Sequence, residues 1–292
     1  MVKEVDTNLA NELIPVTGFA ASGPTVLVST LAASVVLFAV VWAIHVKMRD
    51  AGIVDFAWGG SFAVTAWLAI GLVGSATPAA LLVAVLATIW AIRLTAHMAW
   101  RHRFMEGEDS RYRAMREATG PSFWWKSLFK VYTLQAVIQW MVAAPLLTVA
   151  LVRADDVPTI LVVAGTALFA FGFVVEAFAD YQLWSFKARP ENRGRLMTAG
   201  LFAWSRHPNY FGETVLWFGI GLVAYAASGS LWAFAGPILL AVLLLKVSGV
   251  SLLDAHLART KPGYDDWAAA TPAFVPRPPR RRPSLASPGA GE

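Results

Sequence analysis

Between positions 180 and 213 the chain reads DYQLWSFKARPENRGRLMTAGLFAWSRHPNYFGE, a polar and turn-rich stretch set between long apolar segments. Lys187, Arg195 and Arg206 are suited to pairing with phosphates, the arginines by two-pronged contact. Glu176, Asp180 and Glu213 can accept hydrogen bonds from ribose hydroxyls or a carboxamide, and Asn209 can both donate and accept. Pro208 suits the first position of a helix, so His207-Pro208-Asn209 falls where unpaired backbone N–H groups would point at an anion. One Lys or Arg here would be an ordinary basic loop residue. The set is different, because its acids lie within or at the ends of apolar helices, where burial demands partners. The chemistry this implies is the holding of a phosphorylated nucleotide at a membrane surface.

The elements that position these residues are membrane helices. The chain of 292 residues is 57% apolar, has a mean hydropathy of +0.55, and carries only 15% charged residues, against about 25% in soluble domains. This composition predicts an all-α, polytopic integral membrane protein. Seven segments are apolar enough to cross a hydrocarbon core of about 30 Å, which takes about 20 helical residues: 24–46, 54–73, 78–98, 129–151, 157–178, 210–228 and 231–252. The first is too long for a signal-peptide core and is read as retained. Lys and Arg crowd alternate connectors, around 47–49, 101–130, 187–206 and 259–282, while GSATP, RADDVP and ASGS are nearly bare. That alternation predicts a cytoplasmic basic side, an external N-terminus and an internal C-terminus, which requires an odd number of spans. The expected organisation is a short extracytoplasmic lead-in over 1–23, one seven-helix domain over 24–276, and a disordered basic, Pro/Ser-rich tail over 277–292.

The same composition excludes other classes. A net charge of +5 with long apolar runs is not that of a soluble nucleic-acid binder. With no cysteine there are no disulfides, thiolate metal sites or Cys nucleophile, and the five histidines lack metal-ligand spacing, so no metal site is expected. Gly219-Ile-Gly221-Leu-Val-Ala224 loosely matches a dinucleotide fingerprint but lies inside an apolar helix without a preceding strand, and reads as helix packing.

The segment GLFAWSRHPNYFGETVLWFGIGL, with ADYQL and SFK before it and KVSGVSLL and KPGYDDWAAATPAFVPRPP after it, resembles the steroid 5-alpha-reductase-like membrane family, and more narrowly its bacterial branch of DUF1295 type. The similarity takes in Asp55-Phe56-Ala57-Trp58-Gly59 and extends from about residue 50 to 279. The resemblance implies seven helices with NADPH bound among the last helices and the cytoplasmic loops, in the bacterial inner membrane. It implies reduction of an enone or alkene in a hydrophobic small molecule of steroid, sterol or terpenoid type drawn from the lipid bilayer. Carried onto this chain, its cofactor residues fall on Asp180, Lys187, Asn209, Glu213 and Tyr264, with Arg101 matching an arginine of an early helix.

One position departs from the family. Animal steroid reductases have a catalytic tyrosine where this chain has Met98, after His97, and a thioether donates no proton. Asp55, His97 and Tyr210 are the candidate donors, with Tyr210 a candidate for cofactor contact as well. The competing reading is an S-adenosylmethionine-dependent methyltransferase of a lipophilic acceptor, which shares the Arg-His-Pro-x-Tyr element. Residues 252–258 lack the Glu-Glu pair of that group, and Tyr264 is followed by Trp267 where it has a second tyrosine.

Overall fold

The computed structural model describes residues 21–279, apart from 104–106, 153, 155 and 248. Most of the expected lead-in and tail, at 1–20 and 280–292, therefore lies outside the described residues. The described chain is helical: α1 (Gly23–Met48), α2 (Val54–Val73), α3 (Pro78–His102), α4 (Ser110–Thr119), α5 (Phe123–Ser127), α6 (Leu134–Val142), α7 (Ala144–Leu151), α8 (Thr159–Lys187), α9 (Pro208–Ser228), α10 (Ala235–Val242), α11 (Val250–Thr260) and α12 (Tyr264–Ala270). Among the described residues, six helices are long and apolar enough to cross a membrane, or seven if Ser110–Val142 and Ala144–Leu151 form one bent span. The protein is an all-α, multi-pass membrane protein.

Three predicted segments differ from the helices found. The fourth is bent by 50° between its two parts. Pro145 in the first turn of α7 explains the bend, since it lacks an N–H and its ring collides with the preceding helical turn. The fifth does not end near 178 but continues as α8 to Lys187, so Asp180 and Lys187 are helical rather than in a connector. The seventh is interrupted: π-helical Leu243–Val247 follows α10, and α11 begins only at Val250.

The helices fall into two compact units, Met1–Gly165 with Ile220–Gly236, and Thr166–Gly219 with Pro237–Glu292. In the first, α2 packs along α3, and α1 lies against α2, α6 and π-helical Leu128–Thr133. A buried polar chain ties three of its helices: Ser34 Oγ donates to Gln139 Oε1 at 2.9 Å, and Gln139 Nε2 donates to Thr65 Oγ1 at 3.3 Å. At one end of this unit, Phe38, Val54, Tyr112, Phe123 and Tyr132 close an apolar core. There Glu108 accepts from the Ala51 backbone N–H at 2.8 Å and from both prongs of Arg116, at 2.7 and 2.9 Å. Burial pushes the Glu108 carboxyl up, but the Arg116 hydrogen bonds and the Ala51 amide outweigh it and hold the group below the usual carboxylate range.

In the second unit α8 and α9 cross in backbone contact. A Cβ on Gly212 would lie 2.6 Å from the Glu176 N and Gly172 O atoms, and one on Gly172 would lie 2.5 Å from Gly212 O and Leu216 N. Only hydrogen fits at these two positions. Glycine pairs of this kind let membrane helices approach closely, because packing rather than hydrophobicity drives their association. A separate core of Ala179, Phe202, Tyr264 and Trp267 holds the α8–α9 connector against α12.

Candidate functional site

The α8–α9 crossing assembles most of the predicted constellation. Glu176 and Asp180 are four residues apart and Lys187 seven further on, so all three lie on one face of α8. Glu176 is 2% exposed and Asp180 8%, which places both acids out of solvent. α9 starts at Pro208, and its first turns carry Asn209, Tyr210 and Glu213. The glycine contact brings these turns alongside the acids, and Asn209 Nδ2 donates to Asp180 Oδ1 at 3.0 Å. With its N–H so engaged, the amide oxygen of Asn209 remains an acceptor. Lys187 and Arg195 are exposed, at the end of α8 and in the connector.

Local sequence explains the connector. Gly200 has φ +60°, and the Gln182 side chain fills the space where its Cβ would stand. Gln182 Oε1 then accepts from the Leu201 N–H at 3.0 Å, fixing the turn that begins at Gly200. Residues 204–206 are sewn to the chain after α12. Arg206 N donates to Pro272 O at 2.9 Å, Ser205 Oγ to Phe274 O at 2.7 Å, and Arg277 N to Trp204 O at 2.9 Å.

Asp254 on α11 was not singled out by the sequence, yet it organises this region. Arg206 Nη2 donates to its Oδ2 at 2.7 Å, and His207 Nε2 meets its Oδ1 at 2.8 Å. The Tyr264 hydroxyl lies near the same carboxylate. Arg206 Nη1 donates to Ala268 O at 2.9 Å and Thr271 O at 3.0 Å, so the guanidinium expected to clamp phosphate is largely occupied by its own protein. Burial pushes the Tyr264 phenol up to about 12, helped by the adjacent carboxylate. Burial lowers the His207 imidazole against the opposing pull of Asp254, so the ring tends to neutrality. His207 is 2% exposed and stacks on Tyr210 with ring centroids 5.5 Å apart. The only sequence signal for Asp254 was an acid on an otherwise apolar and basic stretch; its partners are 47, 48 and ten residues away.

Asp55, His97 and Arg101 belong to the first unit. Asp55 Oδ1 accepts from the Tyr112 hydroxyl and Oδ2 from Arg111 Nη2, both at 2.9 Å. Both carboxylate oxygens are therefore engaged by donors. Arg101 Nη2 lies 3.5 Å from Asp109 Oδ2, which also pairs with Arg111. His97 is half-buried on α3, one turn before Arg101. Asp55, Met98 and Arg101 line a cavity of about 10 Å³, room for about one water rather than a substrate. In the second unit a groove of about 330 Å³ is lined by Thr198, Ala203, Pro262, Trp267 and Thr271, within the range of small-ligand sites.

The family model described as "Protein of unknown function (DUF1295)" matches residues 41–271. An uncharacterized protein of Schizosaccharomyces pombe is 28% identical over 223 residues, 68% of this chain and 64% of that protein. The 3-oxo-5-alpha-steroid 4-dehydrogenase 1 of Bos taurus is 34% identical over 71 residues, 24% of this chain and 27% of that protein. A protein of Ustilaginoidea virens named "Probable O-methyltransferase" is 38% identical over 60 residues, 20% of this chain and 21% of that protein. The chain thus spans less than two-thirds of each of these relatives. No solved structure matches it. Matched by the family model over most of its length, the chain belongs to the DUF1295 family, within the steroid-reductase-like superfamily.

Proposed function

We propose that this protein is an NADPH-dependent reductase of a hydrophobic enone or alkene lipid, of steroid, sterol or terpenoid type, in a bacterial inner membrane. The observation that carries the reading is the Asn209–Asp180 hydrogen bond at the α8–α9 crossing, which gathers an amide and two buried acids at a helix start. The likeness to a stretch of a steroid 4-dehydrogenase supports it. The residues present fit a dinucleotide. Thr214 Oγ1, next to Glu213, is a buried hydroxyl without a hydrogen-bond partner in the described protein, and the connector supplies exposed cations.

On this reading Lys187 and Arg195 take the phosphates, while Glu176, Asp180, Asn209 and Glu213 take hydroxyl and amide groups. Arg206, His207 and Tyr264 hold the turn in shape around Asp254. NADPH, when bound, supplies hydride. The chain must supply a proton, or a hydrogen bond, to the charge that develops on the acceptor. Tyr210, His97 and Asp55 remain its candidates for that role.

Methyl transfer from S-adenosylmethionine is the second reading, favoured by the match to an O-methyltransferase-named protein. One experiment separates the two: purified protein titrated with NADPH and with S-adenosylmethionine in parallel. NADPH is expected to bind. Asn209→Ala and Glu213→Ala are expected to weaken it about tenfold or more while melting like the parent, the loss for one hydrogen bond to a charged or buried group. Selective binding of S-adenosylmethionine would replace the first reading with the second.

A further inference from the structure

A single, partly buried carboxylate serves two different donors at one turn. Asp254 accepts from a guanidinium and an imidazole of the residues before α9, and the Tyr264 phenol of α12 lies near it. An ionised carboxylate has about four acceptor sites and no donor, so it can satisfy both at once. Arg206 is anchored further by the Ala268 and Thr271 carbonyls. The His207 backbone N–H is held by Ser205 Oγ at 3.2 Å. The turn that leads into Asn209 and Glu213 is thus fixed from a residue on another helix.

We propose that Asp254 is the positioning residue of this turn: it takes the Nε2–H of His207, leaves Nδ1 as the acceptor of the ring, and presets residues 205–213 to receive the ligand. Its link to a ligand rests on the nucleotide reading of the turn. The tautomer follows from the contact, since a carboxylate can only accept and His207 Nε2 is the nitrogen that meets it. The gain is preorganisation: a turn already in its bound form loses less conformational freedom on binding.

Asp254→Asn keeps size and shape but replaces one acceptor oxygen with an NH₂ group facing donors. Asp254→Glu keeps the carboxylate. NADPH affinity is expected to fall about tenfold or more in Asp254→Asn and to recover toward the parental value in Asp254→Glu. Unchanged affinity in Asp254→Asn, even with a lowered melting temperature, would show a merely structural role and overturn the proposal. Ring ¹⁵N spectra of histidine-labelled protein, with His207 assigned by His207→Gln, test the positioning without a cofactor. The parent is expected to show the neutral Nε2–H form at pH 7, and Asp254→Asn a shift toward a tautomer mixture. A parental Nδ1–H form, or identical spectra in parent and variant, would sink the idea. If the parent binds no NADPH, the nucleotide reading falls and the spectra alone judge the positioning. If Asp254→Asn does not fold, the parental spectrum and the Asp254→Glu titration decide.

Discussion

At the scale of single residues, partners decide what a side chain can do. Arg206 has the residue type of a phosphate clamp, yet its prongs go to Asp254 and two backbone carbonyls. Asp55 has the residue type of a buried acid, yet both its oxygens accept from Tyr112 and Arg111. Residue type alone could not distinguish these uses, because the partners lie 48 to 65 positions away in the chain. The proton-donor role makes a prediction at this scale. Asp55→Asn and His97→Phe are expected to retain NADPH binding and to lower turnover of an authentic substrate by roughly 10²–10⁴-fold, the range of a general acid. Asp55→Asn should also lower the melting temperature, since it leaves Arg111 with Asp109 alone and gives the Tyr112 hydroxyl a poorer acceptor. Parental turnover in both variants would move the role to Tyr210, to be checked with Tyr210→Phe.

At the scale of helices, the second unit depends on how near α8 and α9 can come. The turn motif Asn209-Tyr210-Phe211-Gly212-Glu213 contains both ligand-type residues and the glycine that lets them reach the acids of α8. Its glycine is therefore a packing requirement of the site. Gly212→Val is expected to lower the melting temperature and weaken NADPH binding together, because added methyl groups would have to displace backbone atoms 2.6 Å away; overpacking of this kind costs about 1–3 kcal/mol or more. Gly60, in α2, has nothing within 4 Å of an added Cβ. Gly60→Ala should leave both measurements unchanged or raise the melting temperature slightly, since alanine is the better helix former. Equal tolerance at both positions would show that the close crossing is not required.

At the scale of the whole molecule, the placement of cations bears on orientation in the bilayer. Lys and Arg crowd alternate connectors, and the bent pair Ser110–Val142 and Ala144–Leu151 completes an odd count if it is one span. Reporter fusions at Gly74 and Ser228 should therefore read external, and a fusion at Arg193 internal. Opposite readings at two of the three positions would reverse the proposed topology. The exposed face of α8 suits such a setting: Phe171, Val174, Phe178 and Tyr181 are each about half or more exposed, as expected where lipid rather than water is the solvent.

The sequence by itself determined the all-α membrane class, because runs of about 20 apolar residues have no other stable use. It also determined the start of α9 at Pro208 and the grouping of polar residues before it, since both are properties of neighbouring positions. The family could be read from motifs spread along the chain. Only the tertiary structure decided that Gly172 and Gly212 meet, that Asn209 reaches Asp180, and that Asp254 gathers Arg206, His207 and Tyr264. It likewise decided the bend before Pro145 and the extension of α8 to Lys187. The division has a physical reason. Hydropathy and helix-start preferences act within a few residues of chain. Which helix face meets which is set by side-chain volumes and hydrogen-bond partners brought together from distant positions, and no local pattern encodes it.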